Sequence, residues 1–154
     1  MRVILPGSYD PVTLGHLEII KRAALIYDEV YAVIFVNPNK EYMFSRDERL
    51  KMLLLATECL PNVTVDASDG MVIDYMREHK IEKIVKGYRN NVDLEYEKIQ
   101  AEYNLKNGGF ETELWLADDD FRSVSSTSVR ECIKKGESTE AFLPKKVISF
   151  IDNH

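Results

Sequence analysis

Apolar and polar positions along the chain switch between two periods. Four short β-rich runs, Val3-Ile4-Leu5, Val30 to Val36, Val63-Thr64-Val65 and Lys83 to Val85, are each followed by a stretch of helical periodicity, and Thr112 to Leu116 adds a fifth strand. Such alternation builds parallel βα units. In the first helical stretch Leu17, Ile20, Ala24 and Tyr27 recur at helical spacing, with Ile19 and Ala23 widening the stripe, so one face is expected to pack on a sheet. Ser45-Arg46-Asp47-Glu48 reads as a capping box that opens a second helix, with Leu50, Leu53, Leu54 and Thr57 as its expected buried face. A third helix should run from near Gly70 to about His79 with Val72, Ile73 and Met76 inward. A fourth, about Val92 to Lys106, carries Leu94, Ile99 and Leu105 among many charges and stops at Asn107-Gly108-Gly109. Ser125-Ser126-Thr127 offers N-cap residues ahead of Val129 to Lys135, which Gly136 ends, and Pro144 opens a last helix with Val147, Ile148 and Ile151 on one face. The pattern predicts an α/β fold with a doubly wound parallel sheet, its ligand at the carboxyl ends of the strands. No repeat, low-complexity segment or linker signature interrupts it, and residues 1–154 are expected to form a single domain.

Composition narrows the classes of function. A chain of 154 residues, 45% hydrophobic, can bury one ordinary core but is short for two. With 26 acidic and 20 basic residues the net charge is -6, a field that disfavours broad binding to nucleic acid or to an anionic membrane. A small phosphorylated ligand remains open wherever cations cluster. Cys59 and Cys132 are too few and too far apart for a disulfide framework or a zinc site, so a reducing, cytoplasmic setting is expected. The amino-terminal apolar run is too short for a secretory signal, and no run has the length of a bilayer span.

The strongest chemical signal follows the first strand: Pro6-Gly7-Ser8-Tyr9-Asp10-Pro11-Val12-Thr13-Leu14-Gly15-His16, then a helix. Strand, Gly/Pro-shaped loop and helix start together set backbone N–H groups and the positive end of a helix dipole against an anion, for which phosphate is the natural guest. No Gly-Lys-Ser/Thr follows, so the loop is not a Walker loop, and it lacks the three-glycine dinucleotide fingerprint. Taken alone, His16 is either a phosphate donor or a cap-region residue. Ser125 to Thr127 stand where a helix start either binds phosphate or merely caps itself. Lys86 and Arg89 sit just past an expected strand end, two cations in an acidic protein, and the competing account is solvated surface charge. Tyr96 and Tyr103 read as packing residues, His79 and His154 as surface residues, and Asp118-Asp119-Asp120 as a solvated loop rather than a metal cage.

These segments together carry a resemblance. Thr13-Leu14-Gly15-His16 resembles the T-x-G-H signature of a nucleotidyltransferase superfamily, and Val124-Ser125-Ser126-Thr127-Ser128-Val129-Arg130 resembles its I-S-S-T segment. Pro38-Asn39-Lys40, Met43-Phe44-Ser45 with Glu48-Arg49, Gly70 to Arg77, Lys86-Gly87-Tyr88-Arg89 and Asp93-Leu94-Glu95-Tyr96-Glu97 extend the likeness to phosphopantetheine adenylyltransferases over nearly the whole chain. The resemblance implies a Rossmann-like nucleotidyltransferase fold and transfer of AMP from ATP to 4′-phosphopantetheine, with Mg²⁺ as cofactor and a homohexameric assembly. It implies that His16 and Lys40 are catalytic. It assigns Ser8, Tyr9, His16, Gly87, Tyr88, Arg89, Glu97 and Phe121-Arg122-Ser123-Val124-Ser125-Ser126-Thr127 to ATP, and Ser8, Lys40, Val72 and Lys86 to phosphopantetheine.

Three departures stand out: Ser8 where the family usually has Thr, Lys86 where it usually has Arg, and a Phe121 to Val124 segment without the commoner aromatic pair. Lysine at position 86 lacks the planar fork of arginine. The enzymatic rivals, a nicotinamide or nicotinate mononucleotide adenylyltransferase and, more distantly, a cytidylyltransferase, normally carry H-x-G-H, whereas position 13 here is Thr. A silent nucleotide-binding regulator on the same fold is the rival from another class.

Overall fold

The computed structural model describes residues 1–154. Five strands, β1 (Arg2–Gly7), β2 (Glu29–Phe35), β3 (Val63–Ser68), β4 (Lys83–Tyr88) and β5 (Glu111–Leu116), form one sheet in the order β3-β2-β1-β4-β5, every pair parallel. The helices are α1 (Leu14–Ile26), α2 (Arg46–Thr57), α3 (Val72–His79), α4 (Asn91–Gly108), α5 (Ser126–Lys135) and α6 (Lys145–Asp152). The chain winds from the central β1 to one edge, then returns to build the other half, the doubly wound order expected.

Strand period two divides the apolar residues between the faces. Val3 and Leu5 of β1, with Val30, Ala32 and Ile34 of β2, pack against Ile19, Ile20 and Ala23 of α1, Met52 and Leu53 of α2, Val129 of α5 and Val147 of α6. Ile4, Val33 and Ile84 point the other way, onto Tyr75 and Met76 of α3. Both faces are covered, as a parallel sheet requires.

The central seam of this sheet is incomplete. β1 pairs with β2 at six positions, Arg2↔Glu29 to Gly7↔Ile34, and β4 pairs with β5 at six, Lys83↔Glu111 to Tyr88↔Leu116. Between β1 and β4 only Val3↔Lys83 and Ile4↔Ile84 are paired. Beyond them the two strands part, and a crevice opens at their carboxyl ends, where the order of winding reverses.

Several expectations shift. β3 and β4 run three residues beyond the expected Val65 and Val85, because ladders to β2 and β5 hold Asp66 to Ser68 and Lys86 to Tyr88 extended whatever their propensity. Lys86 therefore lies within a strand, not past its end. In α2 the buried positions are Arg49, Met52, Leu53 and Thr57, so Leu54 is turned out and is 46% exposed. His79 is not a plain surface residue: its ring stacks on Tyr75 with centroids 3.9 Å apart, and Nδ1 lies 3.0 Å from the Tyr75 carbonyl. Tyr96 does not pack into the core; it is 61% exposed, and α4 has no buried residue.

Candidate active site

A cavity of about 510 Å³ lies over the open end of the β1/β4 seam. Its floor is Leu5, Pro6 and Gly7 of β1 with Val85, Lys86, Gly87 and Tyr88 of β4. Only a residue without a side chain fits at 87, since a Cβ there would lie 2.9 Å from Ile19 Cγ1. Two helix starts converge on the cavity: Thr13, Gly15 and His16 of the α1 entry, and Ser125, Ser126 and Thr127 of the α5 entry. The first N–H groups of a helix have no partner within it and carry the positive end of its dipole. In α5 the Ser125 Oγ accepts from the Ser128 N–H at 3.1 Å, while the Ser126 Oγ donates to the Pro11 carbonyl at 2.9 Å and ties the two loops together.

His16 is held by the residue that starts its own helix. The Thr13 N–H donates to Nδ1 at 3.0 Å, and the Thr13 Oγ1 accepts from the His16 N–H at 3.3 Å, a reciprocal capping box. A backbone N–H can only donate, so Nδ1 must be unprotonated and the ring carries its proton on Nε2. The edge of Tyr9 packs against the imidazole, centroids 4.9 Å apart. Burial, and then the positive charges of Lys86 and Arg89, lower the His16 pKa to about 4. The ring is therefore a neutral hydrogen-bond donor near neutral pH.

The cations of the cavity differ in how far they are already engaged. Arg89 grips Asp93 with Nε to Oδ2 at 2.8 Å and Nη2 to Oδ1 at 3.1 Å. The Lys86 Nζ donates to the Pro6 carbonyl at 3.2 Å, one of the groups left over where β1 and β4 part, and lies 3.5 Å from Glu97 Oε1. Lys40 is exposed in the loop after β2, with Nζ 5.6 Å from the centre of the Tyr42 ring and no carboxylate partner. It is the cation freest to meet a second anion.

Most of the residues named from the sequence meet here. Ser8, Tyr9, His16, Lys40, Lys86, Gly87, Tyr88, Arg89, Glu97, Phe121, Val124, Ser125, Ser126 and Thr127 line the cavity. Val72 does not; it lines an adjoining cavity of about 350 Å³, reached past Ser8, Lys40, Lys86 and Glu97. Arg122 and Ser123 are exposed and outside both linings, and Arg122 is occupied with the Ala117 carbonyl at 3.0 Å and Asp119 at 2.6 Å. Asp118 caps the 3-10 turn at Asp119–Phe121 rather than facing the cavity. Sequence reasoning missed Asp10, Thr13, Asp93, Tyr96 and Arg130 in the first cavity, and Gln100, Asn104 and Thr112 in the second. Asp10, Thr13, Asp93, Tyr96 and Arg130 stood within the quoted motifs without being given a role, Arg130 with its Nη1 bonded to the Asp10 carbonyl at 2.7 Å; Gln100, Asn104 and Thr112 carried no local signal.

Residues 4–132 match the cytidylyltransferase-like family. The chain is 40% identical to a phosphopantetheine adenylyltransferase of Clostridium novyi over 99% of its own length and 96% of the relative's. It is 43% identical to that of Symbiobacterium thermophilum, covering 94% and 90%, and 42% identical to that of Corynebacterium diphtheriae, covering 97% and 95%. Among solved structures, a Vibrio parahaemolyticus protein provisionally assigned as a nicotinate-nucleotide adenylyltransferase superposes with a TM-score of 0.72 over 99% of this chain and 91% of that one. At 14% identity that likeness speaks for the fold alone. With the T-x-G-H histidine, the Ser-Ser-Thr helix start and the crevice between β1 and β4 in one cavity, and with identity near 40% along the whole chain, the protein belongs to the phosphopantetheine adenylyltransferases, enzymes of the nucleotidyltransferase class.

Proposed function

We propose that the chain joins the AMP part of ATP to 4′-phosphopantetheine, giving dephospho-coenzyme A and pyrophosphate, by aligning two anions rather than by acid–base chemistry. The observation that supports it best is the pairing of a neutral His16, its proton placed on Nε2, with two helix starts and four cations, Lys40, Lys86, Arg89 and Arg130, in one cavity. A phosphomonoester's second pKa is about 6, so the acceptor phosphate is its own nucleophile. Its oxygen attacks the α-phosphorus, the bond to the β-phosphate oxygen breaks, and pyrophosphate leaves with the electron pair. His16 donates from Nε2 to the α-phosphate as charge builds there; the α5 start, Gly87 to Arg89 and Glu97 hold ATP. Lys40 meets the acceptor's phosphate, with Ser8, Lys86 and Val72 along its path in the adjoining cavity. Alignment and charge neutralisation are the main resources of phosphoryl and nucleotidyl transfer.

The Mg²⁺ that the resemblance implies fits this cavity only as a ligand of the nucleotide. Asp10, Asp93 and Glu97 are each engaged, by the Met43 and Phe44 N–H groups, by Arg89 and by Lys86, and no trio of His, Cys, Asp or Glu gathers elsewhere. Held by phosphate oxygens and water, the ion would neutralise the leaving pyrophosphate. Assembly into a homohexamer belongs to the same proposal: Val92, Ile99 and Tyr103 of α4 are 80%, 64% and 50% exposed, an apolar surface suited to other copies of the chain. The test is pyrophosphate release from ATP with phosphopantetheine, nicotinate mononucleotide or glycerol 3-phosphate as acceptor. Release with phosphopantetheine alone is expected; release only with another acceptor, or with none, overturns the reading.

A further inference from the structure

Arg49 lies in the first turn of α2 and is 2% exposed, yet no carboxylate pairs with it. Its partners are all carbonyl oxygens: Nε reaches Phe44 at 3.2 Å and Ser45 at 3.4 Å, and Nη1 reaches Ser8 at 3.1 Å. Its guanidinium lies over the Tyr42 ring, 3.9 Å from the centroid. For stability alone this is a poor choice, because a buried charge without a counter-ion is costly, a helix start disfavours a cation, and an apolar residue of similar volume would often serve as well. What the fork does is join two loops. One carries Ser8 and Tyr9 and the other, residues 37–44, carries Lys40. From the opposite direction, Asp10 accepts from the Met43 and Phe44 N–H groups, both at 2.9 Å, so each loop holds the other.

The Ser8 contact also fixes a peptide. The Ser8–Tyr9 bond is trans, so its C=O and N–H point in opposite directions. With the carbonyl drawn to Arg49, which lies outside the cavity lining, the N–H of Tyr9, itself a lining residue, is turned away from Arg49, and no acceptor in the protein takes it. Tyr9 holds this orientation at φ 48, a backbone conformation unusual for a residue with a side chain, so the peptide needs an external restraint. We infer that Arg49 is a positioning residue for the reaction: its fork holds the Tyr9 N–H aimed at the nucleotide phosphates and sets the Lys40 loop at a fixed distance from them.

This rests on the adenylyl-transfer reading, and the test separates the two. Arg49→Met removes the fork at similar volume, and Arg49→Lys keeps the charge without the fork. Steady-state kinetics with ATP and phosphopantetheine should show kcat lowered by about 10²-fold in both, the loss typical of one misplaced oxyanion donor. The KM for phosphopantetheine should rise several-fold, and ATP affinity should change little. Lysine should recover no more than a small part, since a point charge cannot hold carbonyls of two loops. If either folded variant keeps kcat within a few-fold, with only its melting temperature lowered, Arg49 is structural and the inference fails. Should neither variant fold, ¹⁵N spectra of the unaltered protein decide: on adding MgATP the Tyr9 amide should move downfield, and an unmoved amide overturns the inference. That measurement needs no acceptor, so it stands even if pyrophosphate release shows a different second substrate.

Discussion

Among single residues, His16 acts through the ring nitrogen that holds its proton. His16→Ala should leave ATP affinity and the fold largely intact and lower single-turnover rate by about 10²- to 10³-fold, because a donor that meets developing charge acts mainly in the transition state. Single-turnover kinetics beside an ATP titration and circular dichroism check this; a rate within a few-fold would make His16 a cap only. The same residue links stability to pH. Its folded pKa, about 4, lies below the ordinary 6.5, so the unfolded chain binds the proton first. The contribution is complete above pH 6.5 and is lost as pH falls towards about 4, on the order of 3 kcal/mol at most. Thermal melts between pH 7 and 4.5 should therefore fall less steeply for His16→Asn than for the parent. His16 was legible in the sequence because its motif is local. Arg49 and Asp10 were not, since the contacts that give them meaning reach 41 residues to Ser8 and 33 to Met43.

At the scale of elements, caps were the most readable signals. Ser45 with Glu48, Ser125 before α5 and Gly136 after it all stand where side-chain chemistry placed them, because a cap is satisfied within four residues. Which face of a helix turns inward was harder. The apolar stripe of α2 offered both Leu53 and Leu54, and the packed face is the one shared by Arg49, Met52, Leu53 and Thr57, which leaves Leu54 outward. Leu53→Ala should cost about 2–5 kcal/mol and Leu54→Gln within about 0.5 kcal/mol by urea unfolding. Equal losses would show that α2 is turned differently. Strand ends β3 and β4 were under-read for a related reason: a ladder partner, not local propensity, keeps Lys86 extended.

At the scale of the whole molecule, assembly is the first open measurement. Sedimentation equilibrium over a range of concentrations should give six copies of the 17.8 kDa chain, and a monomer throughout would remove the hexamer while leaving the chemistry untouched. Sequence resemblance alone had suggested that state; the exposed apolar residues of α4 give it a physical motive. The parting of β1 from β4 carries a consequence for how the protein resists heat. Two central strands of the sheet share only two paired positions, so this seam is short of rungs beside the six-position ladders on either side of it. Under the proposed function, ATP bound over this opening would add contacts between the two strand ends. Amide hydrogens on the facing edges of Gly7 and of Val85 to Tyr88 should exchange readily in the free protein and slowly with MgATP, while those between β2 and β3 stay unchanged. Thermal resistance then becomes a function of nucleotide supply: at a hundredfold excess over Kd the protein gains about 2.7 kcal/mol, and a cell short of ATP would hold the same chain in a looser, more perishable form.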